Sequence, residues 1–338
     1  MAIRSFHAFI AGHLTAANAL ADEALELAQR DVDSFIVAHL HMIEVLVRFY
    51  RGDLAGAEKH FAAGLKFFGD ADFSQAHLGG GIAIHGWASF NAWMLGSAHV
   101  ARERLAKMKA AVNLANPHDP ALSDSIAGRL HFYMRENESA EAFAARALEQ
   151  SEKHRFPNEA ASSRCLLGEA RAQLGRTAEG IALMSQGIDA LVQVGSVIGA
   201  PLSITSLAAA QIRAGTIGDA LQTVGHALNF NPEESVHVPE TLRIRGEIRV
   251  KQGELNLADE DFRNSIALAR SMGAKAWELR TTMSLARLLS DIGRFEEARG
   301  VLSAIYGCFT EGFDTADLKD AKALLDEWSL SPVSHDRG

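Results

Sequence analysis

At 338 residues, with 48% apolar and 22% charged side chains, the chain can bury an extensive core, and its composition excludes disorder for the bulk of it. Its 33 basic and 42 acidic residues leave a formal charge of −9 with no basic run, which argues against nucleic acid or an anionic membrane as a partner. Cys165 and Cys308 stand alone, as expected of reduced thiols in a cytoplasmic chain, and the most apolar region, 196–212, is too interrupted by Gly199, Pro201 and hydroxyls to span a bilayer.

At the N-terminus Arg4 precedes a mildly apolar run, but His7, Gly12, His13 and Asn18 spoil the apolar centre that a secretory signal needs. Gly12 instead opens a series. Glycine returns at 52, 96, 175, 215, 253 and 293, with gaps of 40, 44, 79, 40, 38 and 40 residues. Asn137 divides the long gap, and Asn is the non-glycine residue best suited to the left-handed conformation at helix ends. Five residues after each of these eight points stands a small residue: Ala17, Ala57, Ala101, Ala142, Gly180, Ala220, Ala258 and Ala298. Seven before there is usually another, as at Ser5, Ser89, Gly168 and Gly246, with Val45 and Leu130 as exceptions. A fixed period near 40 means stacked copies of one supersecondary unit, and such solenoids mostly bind rather than catalyse.

Each unit reads as helix, tight turn, helix. In 162–194, Leu166, Leu167 and Ala170 mark one helix, Gly175 turns the chain, and Ile181, Met184, Ile188 and Leu191 stripe the next. The two small residues of a unit lie 12 apart, where the paired helices cross closely, and a large apolar residue usually follows four later, as Phe61, Leu105, Met184 and Phe262 do. This spacing resembles the tetratricopeptide repeat, lengthened by almost a turn per helix. The fourth copy is the weakest: it lacks the glycine and has Arg146 where a large apolar residue belongs, so a bend is expected there. After the eighth unit Thr315 is placed to cap a helix with Asp317 in its first turn, and Leu318, Ala321, Leu325 and Trp328 form one stripe. The expected organisation is an elongated all-α solenoid of about eight tetratricopeptide-like hairpins over 1–312, a capping helix over 313–330 and a disordered tail over 331–338.

Motifs for chemistry are weak. His39 and His41 would point about 200° apart on a helix, and His41 with Glu44 supplies only two ligands, too few for a good metal site. The glycine-rich stretch 77–87 precedes a helix but lacks the lysine, the strand and the spacing of a phosphate cradle. There is no Ser-His-Asp or HExxH pattern and no GxxxxGK[ST] loop, so no catalytic residue, cofactor or metal is assigned and the chain reads as non-enzymatic.

Residues 154–176 (HRFPNEAASSRCLLGEARAQLGR), 271–299 and 306–327 closely resemble the C-terminal tetratricopeptide region of large bacterial signalling proteins built around an ATPase module. In that family the head is an adenylate or guanylate cyclase or a winged-helix DNA-binding domain. The segment Phe309-Thr310-Glu311-Gly312-Phe313-Asp314-Thr315 is its most specific part, and the resemblance runs from Ser5 to Trp328. It implies a regulatory arm, onto which no cyclase or ATPase residue maps. The chain resembles a severed arm: an excised piece, the product of a broken gene, or a free-standing paralogue.

By the same resemblance, positions six and two before each turn face a concave groove. They are Leu46 and Tyr50, Phe90 and Met94, His131 and Arg135, Glu169 and Gln173, Ala209 and Arg213, Glu247 and Lys251, Arg287 and Asp291. Read in order they pass from apolar and aromatic to charged, as a groove would for a peptide with one apolar anchor and one charged end. The competing reading makes the aromatic end inter-repeat core and the i,i+4 charges ordinary surface ion pairs. The expected function is a cytoplasmic, non-catalytic scaffold or regulatory arm recognising a protein or peptide segment, such as the ATPase or cyclase head of its own system. The alternative is a sensor with a small-molecule effector inside the superhelix.

Overall fold

The computed structural model describes residues 1–28, 34–68 and 80–330. The tail expected at 331–338, the connection at 69–75 and the first part of the glycine-rich stretch, 77–79, lie outside the described residues. Among the described residues every regular element is a helix, and eight hairpins follow one another. They are α1 (Ala2–Ile10) with α2 (Leu14–Ala28), α3 (Ser34–Tyr50) with α4 (Leu54–Phe68), α5 (Gly80–Met94) with α6 (Ala98–Ala110), and α7 (His118–Tyr133) with α8 (Asn137–His154). Then come α9 (Pro157–Gln173) with α10 (Thr177–Gln193), α11 (Ala200–Ala214) with α12 (Ile217–Phe230), α13 (Val238–Gln252) with α14 (Leu255–Met272), and α15 (Lys275–Asp291) with α16 (Phe295–Tyr306). A single helix, α17 (Ala316–Leu330), closes the series. The all-α solenoid expected from the period is the fold observed.

In seven hairpins the turn residue is the expected glycine, at φ between +77° and +89°. The left-handed residue ends the first helix by sending amides back to its orphan carbonyls, as Gly96 N–H does to Trp93 at 2.9 Å and Ser97 N–H to Ala92 at 2.8 Å. The fourth hairpin corrects the sequence reading. Its left-handed residue is Arg135 (φ +62°), whereas Asn137 is the first residue of α8. Counting from 135, the small pair becomes Gly128 and Ala140, and Ala144 replaces Arg146 at the ninth position. A Cβ on Gly128 would stand 3.2 Å from Phe143 and 3.4 Å from the Ala140 carbonyl, so the close crossing is present and Ala140, Ala144 and Ala147 are fully buried. The fourth copy is thus regular, and nothing in its packing calls for the expected bend. At Gly168 the crossing is tighter still, since a Cβ there would meet the Gly180 carbonyl oxygen at 2.7 Å.

The superhelix closes on itself, which the expectation of an elongated coil missed. Val197 N–H donates to the Ile10 carbonyl at 3.3 Å, and the N–H groups of Ser235 and Val236 both donate to the Tyr50 carbonyl, at 2.9 and 3.1 Å. Trp93 meets Trp277 edge-on at 5.1 Å, and Trp277 Nε1 donates to the Val236 carbonyl at 3.0 Å. At the far end Arg102 pairs with Asp314 at 2.8 Å, and Glu311 accepts the His99 N–H at 3.0 Å across 212 residues of sequence. The second superhelical turn therefore lies on the first. One continuous core joins Phe9, Phe49, Phe90 and Tyr133 of the first turn to Leu202, Val236 and Trp277 of the second.

The helix α17 forms where its stripe predicted, with Leu318 and Ala321 buried and Leu325 and Trp328 packed against the cluster around Leu302 and Ile305. The Thr315 hydroxyl at its start donates to the Gly312 carbonyl at 2.7 Å.

Candidate functional site

Among the described residues, closure of the superhelix leaves two sizeable cavities against the inner surface. The first holds about 430 Å³, within the range of small-ligand sites. The first helices of hairpins 1 to 5 form one side, and the connection from α10 to α11 on the second turn forms the other. Its walls carry Phe6, Tyr50, Trp87, Phe90 and Tyr133, held by tilted and edge-to-face contacts such as Phe90 with Tyr133 at 5.5 Å and Trp87 with Phe90 at 6.0 Å.

Polar groups break this wall at a few points. His118 Nε2 lies 3.0 Å from Glu159, a hydrogen bond that raises the imidazole's pKa above its ordinary value. Arg129 pairs with the fully buried Glu169 carboxylate, which also accepts the Ser203 hydroxyl at 2.6 Å. Burial opposes the Arg129 charge, but Glu169 more than offsets it and keeps the guanidinium protonated. Below Tyr133, His237 Nδ1 bonds Glu234 at 2.7 Å and its Nε2 lies 2.9 Å from the Tyr133 hydroxyl. Burial raises the phenols of Tyr50 and Tyr133, and it pushes the Cys165 thiol up to about 12. These groups are poised to bind and orient, since burial holds the candidate nucleophiles in their neutral forms. Three buried atoms of the lining residues, Trp87 Nε1, His118 Nδ1 and Asn158 Oδ1, make no hydrogen bond within the protein.

The second cavity, about 310 Å³, lies further along the concave side and is charged. Five arginines line it, Arg135, Arg213, Arg243, Arg280 and Arg287, with Glu240, Glu247, Asp317 and Asp320. Arg243 makes a fork with Glu240 at 2.6 and 2.7 Å and also pairs with Glu247. Arg280 pairs with Asp317 at 2.8 Å and donates to the Tyr133 carbonyl, while Arg135 pairs with Asp320 at 2.6 Å and Asp317 at 3.2 Å.

The groove positions read from sequence divide between these cavities. Leu46, Tyr50 and Phe90 line the first, and Arg135, Gln173, Ala209, Arg213, Glu247 and Arg287 line the second. Met94 and Glu169 are instead buried below the concave surface, and Lys251 is exposed outside both cavities. His131 turns away to stack on Phe143 at 5.1 Å and to pair with Glu136. The two-residue slip in the fourth copy explains that error. From Arg135, the inward positions are Arg129 and Tyr133, and both line the first cavity. The 12-residue spacing of Gly128 and Ala140 was the signal that could have found them. Of the histidines weighed as metal ligands, His41 Nδ1 lies 3.1 Å from His60 Nδ1, and among the described residues no group of three His, Cys, Asp or Glu could hold a metal. No described helix is long and apolar enough to cross a membrane.

Comparison with known proteins agrees with this architecture. The uncharacterized protein R02095 of Rhizobium meliloti (strain 1021) is 27% identical over 214 residues, which cover 62% of this chain and 21% of that protein. The chain thus spans about a fifth of the curated relative's length. Among solved structures, a Rap protein complexed with Competence and Sporulation Factor superposes with a TM-score of 0.60 at 11% identity, over 97% of this chain and 96% of that one. The Rap conjugation gene regulator of plasmid pLS20, in complex with the Phr* peptide, gives 0.62 at 10% identity, over 88% and 76%. At such identities these two show a shared fold. The sequence pattern of the MalT-like TPR region, in contrast, matches residues 125–324, from the middle of α7 into α17. With more than half of its residues inside that match, the chain belongs to the family of MalT-like TPR regions.

Proposed function

We propose that this chain is a non-catalytic recognition arm of a signalling regulator, and that it takes the apolar anchor of a protein or peptide segment into its first cavity. The observation that carries this reading is the aromatic cavity of about 430 Å³ between the two superhelical turns. Aromatic pockets of this kind supply most of the binding energy where a short segment is recognised, with surrounding charges adding orientation. Family membership supports placing it in a cytoplasmic ATPase or nucleotide cyclase system, with the head of that system as partner. The two Rap structures are complexes with Competence and Sporulation Factor and with the Phr* peptide, which supports a peptide here.

A second reading, a small-molecule effector, draws support from closure itself. The backbone bonds from Ser235 and Val236 to the Tyr50 carbonyl hold the second turn against the first beside the cavity. One substitution addresses both. Ser125, half-buried on the cavity wall, can be changed to Phe to fill the space without removing existing packing. Thermal-shift screens with synthetic peptides, with the candidate head domain and with metabolites should give hits on the parent that disappear in Ser125→Phe. Peptide or head-domain hits of that kind support the first reading, and metabolite hits the second. Hits that persist unchanged in Ser125→Phe take recognition out of this cavity.

A further inference from the structure

The second cavity has an excess of positive charge that the protein itself does not satisfy. All four of its carboxylates are engaged: Glu240 and Glu247 by Arg243, and Asp317 and Asp320 by Arg280 and Arg135. Glu247 also accepts the Ser284 hydroxyl at 3.0 Å. Two guanidinium groups are left over. Among the described residues neither Arg213 nor Arg287 makes an ion pair or hydrogen bond, although arginines elsewhere along the concave side are paired. Both side chains are exposed to solvent on the cavity wall, where partial burial lowers the pKa of Arg213 and Glu247 opposes it. Gln173 adds amide donors at the same surface.

We propose that the second cavity is an anion site in which Arg213 and Arg287 clamp a multivalent phosphate or carboxylate group of a small molecule. The argument is one of charge and donor geometry. An arginine in a concave, partly desolvated position has five donors and no acceptor, and leaving it without an anion forgoes charge-assisted hydrogen bonds worth more than neutral ones. The acidic neighbours make no ion pair with either group, and Glu247 is already held by Arg243 and the Ser284 hydroxyl. The two free groups arise from helices α11 and α15, two hairpins apart, so a bound anion would bridge repeats on the second superhelical turn. The site stands independently of what occupies the aromatic cavity.

The test uses the full chain with pyrophosphate and citrate as probes, each titrated by calorimetry and by thermal shift against sodium chloride at equal ionic strength. Saturable binding and a rise in melting temperature beyond that of the chloride control are expected for at least one probe. Pyrophosphate alone would identify a phosphate ligand, and citrate alone a carboxylate. The double variant Arg213→Gln/Arg287→Gln should fold, because neither side chain holds a partner, and should weaken the apparent affinity at least about tenfold. Lys251→Gln, outside the cavity, should bind as the parent does. Absence of binding beyond the chloride control overturns the proposal, as does undiminished binding by the folded double variant. Either result leaves the Ser125→Phe experiment unaffected.

Discussion

Glu44 is a carboxylate with no exposed surface, held by Arg48 Nε at 2.8 Å while its other oxygen, Oε1, finds no partner. Burial, reinforced by Asp22, raises its pKa to about 7. A carboxyl whose folded pKa is raised stabilises the fold below its unfolded pKa, and that contribution is lost as pH rises through the folded value. His60 works the other way. Burial, with Arg48 and His41 nearby, lowers its pKa to about 4, so its contribution is lost as pH falls from about 6.5 towards 4. Glu44→Gln removes only the first effect. Its stability relative to the parent should therefore rise between about pH 4.5 and pH 7, by up to about 3 kcal/mol. Urea unfolding of both proteins at pH 4.5, 6 and 8 measures this, and a difference that does not change with pH removes the buried-carboxyl account. His60 is common to both proteins and cancels.

The same scale shows what the sequence could and could not reveal. Seven turns were legible because glycine is the residue that enters the left-handed region without a Cβ penalty. Arg135 was illegible because arginine carries that penalty, about 1–2 kcal/mol, and a composition rule points to the nearby Asn instead. Tyr50, Phe90 and Arg213 could be placed on the concave surface from repeat position alone. Arg129 and Tyr133 could not, since their register depended on the turn that was misplaced. Burial of Met94 and Glu169 was also hidden, because it depends on packing between hairpins, as where Arg129 and Ser203 of the two adjacent hairpins close over Glu169.

At the scale of elements, α17 shows how a short stripe covers the apolar face of a neighbouring hairpin. Leu318 is 3% exposed and Ala321 fully buried against the eighth hairpin, while Asp317 answers Arg280 and Arg135. Leu318→Ala should lose about 2–5 kcal/mol, as buried leucines do when the site cannot collapse. Ending the chain before Phe313 should uncover Leu302, Ile305 and Phe309 and drive self-association, readable by sedimentation. A truncated chain that stays monomeric and equally heat-stable would show that α17 is not the cap. The helix pattern was readable here, whereas the bond from the Thr315 hydroxyl back to the Gly312 carbonyl was not: Ser and Thr side chains serve both caps and backward turns.

Across the whole molecule, the seam between the two superhelical turns changes how the solenoid should unfold. In an open array each repeat meets only its neighbours, and unfolding can spread from any point. Here Trp277 is buried against Trp93 and Tyr133 of the first turn, with rings 5.1 and 6.0 Å apart. Trp277→Ala should cost about 3–5 kcal/mol. It should also broaden the thermal transition and lower hydrogen-exchange protection in α5 and α7 as well as in α15. Protection lost only in hairpins 7 and 8 would show that the turns are not coupled through this seam.

Closure also fixes how many copies can stand between the residues it joins. Open solenoids grow or shrink by duplication and loss of a unit, because a new copy needs only two compatible neighbours. In this chain the Tyr50 carbonyl is matched to Ser235 and Val236, and Arg102 to Asp314, partners set by the number of hairpins between them. One unit inserted between the fourth and fifth hairpins would carry every later residue a step further round the coil. Val236 would pass beyond Tyr50, Trp277 beyond Trp93, and both cavities would lose one wall. Inheritance of the stretch between these partners is therefore expected to proceed by substitution at a fixed number of hairpins.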